Sequence, residues 1–397
     1  MKRLVLSALL ACICPAGIAV AQTWDSLCIE RQRIDTATVG LLRAEVNALA
    51  FFQNNEYSSP QTRGYTLPGA WLQPRLALAP LPQLQIEAGV HLMLFDGANR
   101  YPNYAYHDIV QWKGNQHQHG VHALPFLRVQ ADFRHLSLVV GNIYGGQNHD
   151  LVLPLYHPEQ NLSADPETGF QLLLNRRRSH MDVWLNWQSF IFNLDSHQEA
   201  FTVGMNYTQQ WGGGERLRWE TPVQLLIQHR GGEIDTTDCG VQTLCNASAG
   251  VRMTWQPGGA PRVLSSLRAE ANVLGSYQQS GRLWPFTTGF AVHAALRATL
   301  WRRLGGEVGY VGIPRQYANL FGSPFFSTIS IRHAGLTFRG MHTAYASLSY
   351  THTFARDYHL GAQLDLYSPH APGVDALPYG FGLYFRVHPS FGLGRGR

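Results

Sequence analysis

Residues 83–95 read Q-L-Q-I-E-A-G-V-H-L-M-L-F, and this stretch decides the fold. Leu84, Ile86, Ala88, Val90, Leu92 and Leu94 fall on one parity, while Gln85, Glu87, Gly89 and His91 fall on the other. A period of two excludes an amphipathic helix, whose apolar positions recur every three to four residues, and describes a strand with one face in an apolar medium. The pattern returns at 121–134, where Val121, Ala123, Leu127, Val129, Ala131 and Phe133 oppose His122, Arg128, Gln130, Asp132 and Arg134. It returns again at 217–229, 247–255, 267–277, 290–300 and 358–366.

With weaker stretches added, strands are expected near 42–54, 66–79, 83–95, 119–134, 135–146, 169–176, 180–192, 199–211, 215–229, 246–257, 264–278, 286–301, 302–313, 341–354, 357–368 and 379–391. The links between them alternate in kind. Short turns such as Pro80-Leu81-Pro82, Arg177-Arg178-Ser179 and Arg303-Leu304-Gly305 alternate with long connections, of which 96–118, 147–168 and 314–340 are the largest. Sorting of this sort belongs to a membrane barrel with turns on one rim and loops on the other, and a soluble sandwich has no cause for it. The expected fold is all-β, a transmembrane antiparallel β-barrel of about sixteen strands, with 14–18 as the range.

Composition agrees. Of 397 residues only 14% are charged, against roughly 25% in a soluble domain, and 12% are aromatic. The formal charge of +5 is almost all arginine, because Lys2 and Lys113 are the only lysines, and no basic tract forms a phosphate-binding surface; no nucleic-acid partner is expected. Residues 1–21 have a basic start, an apolar run and an Ala19-Val20-Ala21 exit, the form of a signal peptide. A rival lipoprotein-type cut lies at Cys12, after Leu9-Leu10-Ala11. The remainder divides into a short periplasmic segment at 22–41, the barrel at 42–391 and a tail at 392–397. Three cysteines stay after the cut at Ala21; Cys239 and Cys245 are close enough for a local disulfide, and Cys28 is left odd.

From Tyr379 the alternate residues Phe381, Leu383, Phe385, Val387 and Phe391 form one apolar face that closes on an aromatic residue. The chain in this resembles Gram-negative outer-membrane β-barrel proteins, and in length, strand number and loop sorting it is porin-like. The resemblance implies an outer-membrane location, contact with outer-membrane lipid, insertion by the barrel-assembly machinery through the C-terminal strand, passage of small solutes, and a homo-oligomer as one possible state. In porins the third loop narrows the channel. The matching segment here, 147–168, carries Asp150, Glu159, Asp165 and Glu167, which the resemblance implies are constriction residues; an acidic exposed loop with turn chemistry is the alternative reading.

Strand parity turns Arg43, Arg128, Arg134, Arg218, Arg252, Arg268 and Arg297 inward, with Glu45, Glu87, Asp132, Asp182, Glu220, Glu270 and Asp365. Equal numbers of each sign argue against a filter selective for one sign. Leu42-Arg43-Ala44-Glu45-Val46-Asn47 is echoed by Leu267-Arg268-Ala269-Glu270-Ala271-Asn272 and, in part, by Leu217-Arg218-Trp219-Glu220. Residues i and i+2 share a strand face, so each copy sets an Arg beside a Glu on the lumen wall, for pairing or for transport. Arg43, Glu45, Glu87, Arg128, Arg218, Glu220, Arg268 and Glu270 are the expected pore-lining set.

His117 and His119 share a face and are weak candidates for a transition metal; a solvated histidine patch is the plainer reading, and no cofactor is expected. His135-Leu136-Ser137 has the spacing of the His-x-Ser motif of outer-membrane phospholipases and lipid A deacylases, but Leu138 and Val139 replace its Asn-Gly. Asp195-Ser196-His197 resembles omptin proteases, yet their second aspartate pair is absent from the chain. The expectation is therefore a porin-like channel for passive passage rather than an enzyme. Its rivals are a barrel whose loops act as adhesin, receptor or surface-assembly component and, further off, an outer-membrane hydrolase.

Overall fold

The structure, a computed structural model, describes residues 26–98, 117–190, 197–214, 216–232, 240–257 and 263–395. Sixteen antiparallel strands close into a barrel. They are β1 Leu41–Glu56, β2 Tyr65–Leu81, β3 Leu84–Ala98, β4 His117–Asp132, β5 Leu136–Asn142, β6 Thr168–Asn175, β7 Ser179–Ser189, β8 Ala200–Gly212, β9 Leu217–Arg230, β10 Gln242–Trp255, β11 Leu264–Ser280, β12 Thr288–Leu300, β13 Leu304–Ile313, β14 Met341–Ala355 and β15 Tyr358–Ala371, with β16 in two parts, Tyr379–Val387 and Ser390–Arg395. The expected tail from residue 392 instead continues β16 to Arg395. Proline lacks an N–H, so Pro389 interrupts the ladder; its carbonyl still accepts from Val46 at 3.0 Å. β16 closes the ring on β1, with Phe51 opposite Tyr384 and Ala44 opposite Phe391.

Every strand follows the parity rule. Leu364 and Leu366 of β15 are exposed toward lipid, while Tyr367 beside them is buried inside. Aromatic girdles mark the two interfaces, with Trp211, Trp219, Trp301, Phe354 and Tyr358 on the short-turn rim and Phe170, Tyr277, Phe290, Tyr310 and Tyr379 on the long-loop rim. Cys245 stands on the lipid-facing parity of β10 and carries a thiol. The expected Cys239–Cys245 disulfide is therefore corrected, Cys239 lying outside the described residues.

Inside, glycines on the wall receive aromatic rings from the next strand. The Trp184 ring lies so close over Gly204 that a Cβ there would fall 2.1 Å from it, and Tyr345 covers Gly309 in the same way. A second departure from a simple wall starts at Gly141. It adopts φ +93°, with no room for a Cβ beside the Leu127 carbonyl, and β5 ends one residue later at Asn142. The segment 143–167 then turns into the lumen.

Candidate functional site

Among the described residues, three segments occupy the barrel interior. Segment 143–167 enters from the long-loop rim and contains a 3-10 turn, Gly146–His149, and one α-helical turn, α1 Gln160–Ser163. Segment 314–340 enters from the same rim and meets the first along a bridge between Tyr156 and Phe321; His157 N–H donates to the Phe321 carbonyl at 2.8 Å. Leu155, Tyr317, Phe325 and Phe326 bury completely between them, against Leu226, Leu244, Leu274, Tyr345 and Tyr367 of the wall. Each such side chain contributes about 1.5–3 kcal/mol, so a true apolar core holds the two segments in place. The third segment, residues 26–34, rises from the short-turn rim and buries Leu27 among Leu49, Phe51, Leu67, Trp71 and Leu162. It was expected to lie in the periplasm, and its apolar residues draw it inward.

The lumen is thus filled, where a water-filled passage was expected. Wall side chains at mid-height are buried around the circumference, among them Gln73, His91, Gln171, Asp182, Asn206, Gln224, Asn246 and Thr343. A cavity of about 420 Å³ remains below the plug, lined by Arg43, Glu45, Arg75, Glu87, Arg356 and Ser390.

The expected pore-lining residues face inward as pairs. Arg43 and Glu45 meet at 2.9 Å, Arg218 and Glu220 at 3.0 Å, and Arg268 and Glu270 at 3.0 Å, so all three echoed motifs close the same ion pair within one strand. Arg134 is the exception to the parity reading: β4 ends at Asp132 and Arg134 is exposed in the turn. On one wall Arg43, Arg75 and Arg128 outnumber Glu45 and Glu87. Glu30 of the N-terminal segment supplies the missing carboxylate, 2.7 Å from Arg75 and 3.2 Å from Arg128. Burial alone would raise the Glu30 carboxyl, yet the two guanidiniums hold it far below the usual carboxylate range. On the opposite wall Arg218, Arg252 and Arg268 outnumber Glu220 and Glu270, and Asp150 fills the deficit, 2.7 Å from Arg252 and 3.9 Å from Arg268. Burial opposes its ionised form; these arginines lower it more.

The other acidic residues of segment 147–168 are anchors as well. Glu159 accepts from Tyr65 and from Asn55 at 3.1 Å. Burial pushes it up to about 7, and Asp365 adds to that. Asp165 lies 3.3 Å from His122. Glu167 lies 3.2 Å from His149 Nε2, while Asp182 holds Nδ1 at 2.7 Å and Trp184 stacks on the ring at a centroid distance of 3.6 Å. Burial opposes the charge on His149, but the two carboxylates outweigh it and lift the imidazole to about 9. A ring held on both nitrogens is a clamp and cannot serve as a base.

Glu30 and Arg75 escaped the sequence reading. Glu30 precedes the first strand, and Arg75 lies next to Leu76-Ala77-Leu78-Ala79, which is apolar on both parities. The side chains of His117 and His119 are outside the described residues, and among those described no group of three or more His, Cys, Asp or Glu could hold a metal ion. Ser137 is buried in the lumen, where Arg33 donates to it at 3.3 Å, which removes His135-Leu136-Ser137 as a site.

No curated protein matches the sequence. In structure the chain is similar to OccAB4 of Acinetobacter baumannii, at 10% identity and TM-score 0.51 over 91% of this chain and 99% of that one. It is also similar to OprD of Pseudomonas aeruginosa, at 10% identity and TM-score 0.50 over 94% and 98%. A loop-deleted OmpT, an outer membrane protein of Vibrio cholerae, aligns at 8% identity and TM-score 0.50 over 87% and 99%. These likenesses are likenesses of fold: the chain is a porin-like barrel, with the architecture these outer-membrane proteins share. The sequence pattern of one family runs through residues 34–396, nearly the whole barrel. That family is an enzyme family, which overturns the expectation of a protein without catalytic activity. The chain belongs to the lipid A 3'-O-deacylase-type family.

Proposed function

We propose that the protein is an outer-membrane acyl-ester hydrolase acting on an acylated, anionic glycolipid of the outer leaflet. The observation that carries this reading is the match over 34–396 to a deacylase-type family, in a barrel whose lumen is packed with its own chain. Such packing suits a rigid scaffold for a site and leaves little room for diffusion of solutes. The long-loop rim adds a fitting surface. Arg63, Arg315, Arg332 and Arg339 are exposed there, and guanidinium forks recognise phosphate in a bidentate manner. The test is to incubate the folded protein in detergent with purified lipopolysaccharide and to weigh the lipid A by mass spectrometry. Loss of one ester-linked acyl chain, with the matching fatty acid released, is expected; unchanged lipid A would refute the activity. Planar bilayers report separately on passage, where no stepwise current is expected.

A further inference from the structure

We infer that the short-turn rim carries a binding site for an anionic glycerophospholipid of the adjoining leaflet, built from the arginines of three neighbouring hairpins, β4–β5, β6–β7 and β8–β9. In barrels of this kind that leaflet is the periplasmic one. The three turns read Phe133-Arg134-His135, Arg176-Arg177-Arg178 and Gly213-Gly214-Glu215-Arg216. Arg134, Arg176, Arg177, Arg178 and Arg216 are all exposed, and among the described residues none of them pairs with a carboxylate. Glu215, the one acid in these turns, lies outside the described residues. Unmatched charge on this scale sets the arc apart, because the arginines inside the barrel each meet a Glu or an Asp. The rest of the rim differs as well: the β2–β3 turn, Pro82-Gln83, is uncharged, and at β14–β15 Arg356 stands 4.0 Å from Asp357.

The three turns are fixed against one another. Asn175 N–H donates to the His135 carbonyl at 2.8 Å, which ties the first turn to the second. Gln210 N–H donates to the Arg178 carbonyl at 2.7 Å and the Gln209 side chain reaches the same oxygen at 3.1 Å, so β8 holds the second. Arg33 braces the first turn, donating to the Phe133 and Arg134 carbonyls at 3.2 and 3.1 Å. Strands 4.7–4.9 Å apart set successive hairpins about 10 Å from each other, a gap that two arginine side chains span to close on one phosphodiester. Each arginine near an anionic headgroup strengthens binding about fivefold.

The wall beside the arginines selects a lipid as the partner. Phe133, Leu138, Leu217 and Trp219 are exposed there on the outward parity of their strands. Trp211, exposed on the same face, is held by a bond from its Nε1 to Thr221 at 2.8 Å, in the position of an interfacial anchor. A phosphodiester for the guanidiniums and hydrocarbon for this surface come joined in one molecule in a phospholipid. A soluble phosphate or an acidic protein would use the charged half of the site alone.

The experiment titrates the folded protein, in neutral detergent, with dioleoylphosphatidylglycerol or with dioleoylphosphatidylethanolamine and counts the retained lipid by native mass spectrometry. Wild type is expected to prefer the anionic lipid by about tenfold or more. The variant Arg176→Gln/Arg177→Gln/Arg178→Gln is expected to bind it about 100-fold more weakly, three factors of about five. The variant Arg302→Gln/Arg303→Gln/Arg356→Gln removes the same charge from other hairpins of the rim and is expected to stay within about threefold of wild type. Both are first shown to be folded by their heat-modifiable migration. Salt near 1 M, where the Debye length is about 3 Å, is expected to weaken binding to wild type far more than to the first variant. Equal losses in the two variants would show a diffuse charge in place of a site, and equal retention of the two lipids would remove the headgroup as the determinant. Displacement of the lipid by an equal concentration of glycerol 3-phosphate would make the site one for soluble phosphate. Any of these three results overturns the inference.

Discussion

Replacing Glu30 by Gln tests what holds the N-terminal segment in the barrel. The substitution keeps the side chain's shape and removes its charge, which leaves Arg43, Arg75 and Arg128 facing only Glu45 and Glu87. Arg128 is 2% exposed and Arg75 10%, so neither can turn to bulk water. Removing one partner of a buried ion pair costs about 3–5 kcal/mol in a closed interior. Here the cavity of about 420 Å³ beside the arginines admits water, and a cost of about 2–3 kcal/mol is the reasonable figure. At 1.4 kcal/mol per tenfold, docking of residues 26–34 weakens about 30- to 150-fold. The assay is modification of the Cys28 thiol by a membrane-impermeant maleimide, in a background with Cys239 and Cys245 replaced by Ser. Labelling then follows the population of the undocked segment. The variant is expected to label faster by the same factor, and a second change, Arg75→Gln, is expected to restore part of the protection by balancing the charge again. Equal labelling of wild type and Glu30→Gln would show that the carboxylate does not hold the segment.

The remaining predictions concern pH and packing. The Glu30 carboxyl is depressed in the fold, so its stabilisation is present above the ordinary carboxylate value of 4.5 and is lost only as pH falls toward its depressed folded value; Cys28 should stay protected at pH 4. His149 is raised to about 9, so its contribution is complete below its ordinary 6.5 and declines as pH rises through 9; thermal melting in detergent should shift downward across that window, and less so in His149→Gln. Glu159 is raised to about 7, so its stabilisation is lost between pH 4.5 and 7, and Glu159→Gln should raise the melting temperature at pH 8 while leaving it nearly unchanged at pH 4. Gly204→Val drives a side chain into the Trp184 ring and should lower the melting temperature by an amount equivalent to about 1–3 kcal/mol.

The strands were legible because one face of each meets lipid, and alternation is a local property that residues 83–95 display unaided. The pairs Arg43–Glu45, Arg218–Glu220 and Arg268–Glu270 were legible for the same reason, since i and i+2 share a face whatever the rest of the chain does. Glu30 with Arg128 and Asp150 with Arg252 were not. Their partners stand about a hundred positions away, and they meet only because apolar residues such as Leu27, Leu155 and Phe325 draw the segments inward. The filled lumen was hidden by the same ambiguity: an apolar residue in a loop carries no mark that says whether it will face lipid, water or another loop. Enzyme chemistry was sought in short strings such as His135-Leu136-Ser137, whereas the family signature is spread over the whole barrel.

The N-terminal segment has a consequence for regulation. It is fastened to β1 by residues 35–40, where Gly40 N–H donates to the Ala79 carbonyl at 2.9 Å, so it behaves as a ligand tethered at the mouth of its own receptor. A short tether gives an effective concentration of the order of 1 mM, and a free-peptide Kd of about 1 µM would then leave the segment unseated roughly one-thousandth of the time. Modest contacts therefore suffice to keep the periplasmic mouth filled. A soluble copy of the peptide would have to reach millimolar levels to compete, while a single lost charge, acting on the tethered copy, is enough to make vacancy common.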